Sequence, residues 1–328
     1  MTDRPRKDNT VTDKARKDNT VTDRERKDNT VTDRARKDNT VTDSAASDST
    51  ATGEWQTGLL DLDAYLARVG FHGSPEPTGA TLAALHPAHV AAIPFENLDV
   101  ILGRGIRVDL GSVQAKLVAA RRGGYCYEHG VLFAAVLERI GFQVDRLLAR
   151  IGYNPGFPRP RTHMALHVTG RDGQWLADVG FGAGLLEPLP WDSSGQPHRQ
   201  GGWTYQITSP EAGTWVTRQA SGDGWLDMYT LTAEPQHASD VEMANYFTST
   251  NPRSPFTGHA IVMRKTAEAQ HRLRDRELTT IWPDGTSTGR ALTDAEITSA
   301  LRELFHLPLA AEQVTQLLAT LPPLGAGG

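Results

Sequence analysis

The stretch RRGGYCYEHG, residues 121 to 130, holds Cys126, the single cysteine of a 328-residue chain. Two glycines before it, Gly123 and Gly124, break any preceding helix and let the backbone turn sharply. Beyond it, Val131, Leu132, Ala134, Ala135, Val136, Leu137 and Ile140 form an apolar run that reads as a buried helix. The pattern predicts Cys126 in or near the first turn of that helix, where unpaired N–H groups and the positive dipole end favour an anion. A thiol is only weakly ionised near neutral pH, and a helix N-terminus or an imidazole partner stabilises its thiolate. The same N–H groups suit the oxyanion of an attacked thioester.

Downstream, Thr162-His163-Met164 and Leu176-Ala177-Asp178-Val179-Gly180-Phe181-Gly182 supply a histidine and an aspartate after the cysteine. A thiolate nucleophile, a base and an orienting carboxylate call for that set. The runs HMALHV (163 to 168) and QWLADVGF (174 to 181) flank the turn signal Gly170-Arg171-Asp172-Gly173 and read as a hairpin. With the loop centred between Gly170 and Arg171, His163 lies directly opposite Asp178 and both side chains share a face. A free cysteine is commonly just a small core residue. Asp178 is more informative, because an aspartate in an apolar strand needs a partner. Two rival bases exist: His129, which neighbours Cys126 if the segment is helical, and His167, which shares strand parity with His163. Both read as structural or pocket-lining.

These residues, taken with others in order, resemble the arylamine N-acetyltransferase family of bacteria. The matching stretches are Ile93 to Asp99 (IPFENLD), Arg121 to Glu128, Arg161-Thr162-His163, Asp178 to Gly182 and Tyr246 to Phe256 (YFTSTNPRSPF). The resemblance runs from about Leu60 into the C-terminal region. It implies an α+β fold with an N-terminal helical bundle, a central β-barrel and a C-terminal α/β lid, and a Cys-His-Asp triad of cysteine-protease-like geometry. It further implies that Cys126 is acetylated by the co-substrate acetyl-CoA, that His163 takes the thiol proton and that Asp178 fixes the imidazole tautomer. The acetyl group then passes to an arylamine or hydrazine in a ping-pong cycle. By the same resemblance Phe95, Tyr127, Phe181 and Phe256 line the acceptor cleft, and Glu96 pairs with Arg122 to brace the active-site loop. The chain departs from the pattern at Gly130, where many members carry Asn; a glycine inside a helix costs about 1 kcal/mol relative to alanine. Two other chemistries share such a triad: macrolactam-closing amide synthases of the same fold, which take an acyl chain from a carrier protein, and Cys-His-Asp hydrolases.

The pattern of residues divides the chain accordingly. Residues 54–140 look mainly helical, starting with the amphipathic LLDLDAYLARVGF; 141–245 alternate short apolar runs with turn residues, as a barrel or sandwich does. The span 246–328 returns to strands, such as AIVMR at 260 to 264, and ends in helices, with Thr293-Asp294-Ala295-Glu296 as a start signal. Residues 1–53 differ: four copies of a ten-residue unit such as VTDRARKDNT decay into VTDSAASDST. Nearly devoid of apolar residues, that segment reads as a disordered polyampholyte tail. Its interleaved charges, and a net charge of −5, give no reason to expect a nucleic-acid partner. The sequence offers no secretory h-region and no apolar run of roughly eighteen or more residues, and its lone cysteine precludes an intramolecular disulfide. No cluster has metal-ligand spacing and no phosphate-binding glycine loop is present. These features point to a cytoplasmic enzyme acting on small molecules, with no membrane partner and no metal. Deleting residues 1–50 is expected to leave kcat unchanged in a steady-state assay; a large loss would show that the tail takes part in turnover.

Overall fold

A computed structural model describes residues 53–323 of the protein. The repeat tail assigned to residues 1–53 lies outside the described residues except for Gly53. The chain opens with a short 3-10 turn, Thr57–Leu59, then α1 (Leu62–Val69) and α2 (Gly79–Ala92). The α1 helix starts where the Asp61 carboxylate accepts from the Ala64 N–H at 2.9 Å and stops at Gly70, whose φ of 72° suits a residue without a side chain. A two-residue strand β1 (Phe95–Glu96) and the short helices α3 (Leu98–Ile101) and α4 (Leu110–Gln114) follow. A π-helical turn, Ala115–Ala119, leads on to α5 (Cys126–Ile140). Every residue of α5 from Cys126 to Leu137 is buried, so this helix is the axis about which the first core is packed.

Nine strands and a helix come next: β2 (Gln143–Ile151), β3 (Arg161–Thr169), β4 (Gln174–Ala177), β5 (Leu189–Pro190), β6 (His198–Gln200), β7 (Trp203–Thr208), β8 (Trp215–Ser221), β9 (Gly224–Leu231), α6 (Ala238–Thr250), with β10 (Ile261–Lys265) beyond a single helical turn, α7 (Pro255–Gly258). The chain closes with β11 (Gln270–Arg274), β12 (Glu277–Ile281), β13 (Ser287–Ala291), α8 (Asp294–Glu303) and α9 (Ala311–Thr320). Strands β2 to β9 form one antiparallel sheet in the order β5-β4-β3-β2-β9-β8-β7-β6. Leu176 and Leu189 near one edge share a core with Trp203, Tyr205 and Ile207 near the other, which a flat sheet could not allow. The sheet is therefore rolled into a nearly closed barrel. A second sheet, β1-β10-β11-β12-β13, packs on α8 and α9 around Leu273, Ile297, Leu301 and Phe305.

The mixed architecture of helices, barrel and terminal α/β unit follows the sequence reading. Two details cut across its boundaries. Strand β1, inside the helical segment, pairs with β10, so Phe95 lies against Met263 in a sheet made mostly of C-terminal residues. The α6 helix runs from Ala238 to Thr250 through the 245/246 boundary without interruption. The start signal at Thr293 is realised: its hydroxyl accepts from the Glu296 N–H and the Glu296 carboxylate accepts from the Thr293 N–H at 2.9 Å.

The hairpin register differs from the expected one. Leu166 pairs with Ala177 and His167 with Leu176, while Gly170 N–H donates to Gly173 O at 3.0 Å, so the turn is centred one residue later than between Gly170 and Arg171. Continuing that register sets Asp178, just past β4, opposite Ala165 rather than His163. The displacement is two residues, which preserves the face: His163 and Asp178 are diagonal neighbours on the same side of the sheet.

Candidate functional site

Cys126 is the first residue of α5, as the glycine break and apolar run predict. The carboxylate of Glu128 folds back to accept from the Tyr125 N–H at 3.0 Å, half of a capping box that fixes the helix start. Gly123 is required here: a Cβ on it would come within 2.3 Å of the Pro94 carbonyl. Gly130 has a reason as well. A Cβ there would meet Met164 Sδ at 2.8 Å, so the methionine beside His163 occupies the room that a larger residue would take.

Strand β3 brings in the imidazole. His163 pairs with Ala149 on β2 and Arg161 with Arg150, leaving Thr162 as an extra, unpaired residue. Bulges of this kind re-aim backbone groups beside functional sites. Here the Thr162 carbonyl stands 3.7 Å from Cys126 Sγ. His163 Nε2 bonds Asp178 Oδ2 at 2.8 Å, which leaves Nδ1 as the nitrogen free for the thiol. All three side chains are withdrawn from solvent, Cys126 at 3% exposure, His163 at 2% and Asp178 at 3%. Burial works against a charged imidazole, but the Asp178 carboxylate, by charge and hydrogen bond, outweighs it, and hydrogen bonding to Cys126 adds to the effect, so His163 is pushed up to about 10. Asp178 is itself held below its usual range despite burial, by His163 and by the Gly180 N–H, which donates to Oδ1 at 3.1 Å.

The Asp178 segment packs tightly against Cys126. A Cβ on Gly180 would lie 2.9 Å from both Cα and O of Cys126, so only glycine lets the two backbones approach. A residue absent from the sequence reading sets its position: His86 on α2. Its Nε2 accepts from the Asp178 backbone N–H at 3.1 Å and its Nδ1–H donates to Leu186 O at 3.0 Å. Burial lowers His86 to about 4, so it is a neutral, fixed tautomer. Its nearest bonded partner in sequence is 92 residues away, which leaves no local signal. Tyr229 on β9 is also new; its ring lies 4.9 Å from that of His163 and 5.5 Å from that of Phe181, while its hydroxyl makes no hydrogen bond of normal geometry.

The rival histidines are occupied elsewhere. Fully buried, His129 donates through Nε2 to the Gly124 carbonyl at 3.0 Å and accepts at Nδ1 from His89 Nε2 at 2.9 Å, and His89 Nδ1 accepts from the Tyr65 hydroxyl at 2.9 Å. Desolvation brings His129 down to about 4, so this chain consists of neutral rings and supports the nucleophile loop. His167 bonds Asp145 Oδ2 at 3.0 Å and lies on Trp191, centroids 4.4 Å apart.

A buried ion network braces the same loop. Arg122 grips Glu96 Oε1 at 2.6 and 3.0 Å and reaches Asp99 at 3.3 Å, as the sequence reading of that pair anticipates. Lys116, on the π turn, adds contacts to Asp99 at 2.9 Å and Glu128 at 2.8 Å. Desolvation lowers the Lys116 ammonium, and the carboxylates of Glu96, Glu128 and Asp99 more than offset it, holding it above the ordinary lysine range. Glu128 therefore links the helix cap to the network.

Of the four aromatic residues expected at the acceptor cleft, Phe181 is half-buried, edge-on to His163 at 5.0 Å, and lines an open cleft of about 630 Å³ together with Trp203, Gln219, Met228 and Trp282. Phe95 is buried beneath the site, 5.8 Å from the half-buried Phe256. Tyr127 is fully buried, edge-on to Tyr125, with its hydroxyl on Thr248 at 3.2 Å. Asn97 ties the layers together: it donates to the carbonyls of Phe256 and His259 and accepts from the Ile261 N–H. Among the described residues no group of three or more His, Cys, Asp or Glu is placed to hold a metal, and no helix is long and apolar enough to cross a membrane.

The His163 shift gives a pH signature. A folded value of about 10, above the ordinary 6.5, means its contribution to stability is complete below 6.5 and is lost as pH rises through about 10. Asp178 has the opposite sign: its contribution is present above the ordinary 3.8 and is lost as pH falls below that. Histidine NMR titration is expected to show His163 still protonated at pH 8 and, in Asp178→Asn, losing its proton at much lower pH; a wild-type midpoint near 6.5 would contradict this reading.

Comparison with known proteins agrees with the geometry. A family model described as N-acetyltransferase matches residues 79–314. The arylamine N-acetyltransferase of Mycolicibacterium smegmatis is 37% identical over 257 residues, 76% of this chain and 93% of that protein. The crystal structure of the Nocardia farcinica arylamine N-acetyltransferase superposes with a TM-score of 0.75 at 44% identity, covering 80% of this chain and 95% of that one. That of Mycobacterium marinum arylamine N-acetyltransferase in complex with CoA gives 0.73 at 30% identity, covering 79% and 98%. Matched over nearly the whole length of such relatives, the chain belongs to the arylamine N-acetyltransferase family of acyltransferases.

Proposed function

We propose that the protein N-acetylates arylamines and hydrazines from acetyl-CoA through an acetyl-Cys126 thioester. The observation that carries this reading is the His163 Nε2 to Asp178 bond at 2.8 Å, which directs Nδ1 toward a thiol seated on a helix N-terminus. Cys126 Sγ, its proton already resting on the Asp178-stabilised imidazolium of His163, attacks the acetyl carbonyl of the donor as a thiolate. The oxyanion is stabilised by free N–H groups of the first turn of α5. When the tetrahedral intermediate collapses, the bond from carbonyl carbon to the CoA sulfur breaks and that sulfur takes the proton from His163.

Departure of CoA opens the site to the amine. Its nitrogen attacks the thioester, a proton passes from nitrogen to His163, and collapse breaks the bond from carbonyl carbon to Cys126 Sγ, releasing the amide and restoring the thiolate beside protonated His163. Asp178 acts as the orienting group: it stabilises each imidazolium stage and keeps Nδ1 toward sulfur. Substrates enter by the cleft at Phe181, where apolar walls suit an aromatic ring, with Phe95, Tyr127 and Phe256 contributing the remaining aromatic surface of the acceptor site.

Intact-protein mass spectrometry after mixing with acetyl-CoA alone tests the proposal. The wild type is expected to gain one acetyl group, lose it on addition of an arylamine, and gain none as Cys126→Ala. A wild type that stays unmodified would overturn acetyl-CoA as donor and favour a carrier-bound acyl chain.

A further inference from the structure

On another face of the molecule, Arg68 of α1, the last residues of α2, Arg121 and Arg264 of β10 meet Arg302 and His306 at the end of α8 around an open cleft of about 490 Å³. We propose that this cleft binds a small phosphorylated molecule carrying two or more negative charges. It shares no lining residue with the cleft at Phe181.

The cleft concentrates four guanidinium groups in a chain whose net charge is −5, and no carboxylate lines it. Among the described residues Arg68, Arg121 and Arg264 form no ion pair with a carboxylate. Arg68, only 7% exposed, spends its donors on the carbonyls of Leu117 at 3.1 Å and Arg121 at 3.4 Å; Arg264 donates to Leu304 O at 3.2 Å. Arg302 has only Glu303, in a pair exposed to solvent at 74% and 63%. Like charges crowd one another without relief: burial, then the neighbouring Arg121, lower Arg68 to about 10, and burial with Arg264 lowers His306. A bound anion would remove that repulsion.

The shape supports an organic phosphate. Guanidinium forks match phosphate oxygens bidentately, and a volume of about 490 Å³ lies within the range of roughly 300–1,000 Å³ typical of small-molecule sites. Ala91, Ala92, Leu307 and Pro308 form an apolar flank that suits the body of such a molecule. Two of the lining residues, Arg121 and His306, hold left-handed backbone, φ 53° and 52°. Arg121 also adjoins Arg122 of the ion network along the chain.

Isothermal titration of the full chain at constant ionic strength tests the site, with inorganic pyrophosphate as probe and ADP as a second arm. Wild type is expected to bind one pyrophosphate per chain, with at least tenfold weaker affinity in Arg264→Gln/Arg302→Gln. Arg302→Gln alone, at an exposed side chain, is expected to give a smaller loss and guards against misfolding of the double variant. Arg159→Gln, in the cleft at Phe181, is expected to leave the affinity unchanged. ADP binding more tightly than pyrophosphate would assign the flank to an organic body; equal affinities would assign the site to a bare diphosphate, and both results support it. Absence of saturable binding by the wild type, or affinities unaltered in the Arg264 and Arg302 variants, would overturn it.

Discussion

A carboxylate at 3% exposure, Asp178, is the constraint on which the site depends. Leaving such a charge in an apolar interior without partners would cost several kcal/mol, so its surroundings must be matched to it. Oδ2 meets the His163 imidazole, Oδ1 meets the Gly180 N–H, and its own backbone N–H is taken by His86. Each partner comes from a different part of the chain: the barrel strand β3, the loop past β4 and the helix α2. Burying the aspartate therefore aligns the barrel with the helical segment, and the same alignment sets His163 Nδ1 toward Cys126.

Cys126 is held by a second and different device. Around it stand neutral rings and fixed charges: the Tyr65–His89–His129 chain ends on the Gly124 carbonyl, while Arg122 and Lys116 bind Glu96, Asp99 and Glu128. Removing one member of a buried ion pair typically costs about 3–5 kcal/mol because the other charge is stranded. With Glu128 also capping α5, electrostatics of the loop and the position of the thiol are one mechanical unit. A cysteine, histidine and aspartate in this order are shared with hydrolases; the family match over residues 79–314 decides between those classes.

What the sequence made legible was local. The Gly123-Gly124 break followed by an apolar run marks the start of α5 because both signals act within one turn of helix. The alternation of strands past residue 141 and the capping box at Thr293 are legible for the same reason. The hairpin register was missed by two residues because the Gly170–Gly173 turn admits more than one centre, and side-chain parity alone cannot choose between centres that differ by that amount. His86 escaped because its partners, Asp178 and Leu186, are 92 and 100 residues away.

The central claim is that the Asp178 carboxylate governs the reactivity of Cys126 through His163. The rate of Cys126 alkylation by iodoacetamide, followed from pH 5 to 9 in the wild type and in Asp178→Asn with folding verified by circular dichroism, tests it most directly. The account predicts rapid alkylation of the wild type at neutral pH and, in Asp178→Asn, slow alkylation whose profile moves to higher pH. Superimposable profiles would contradict it.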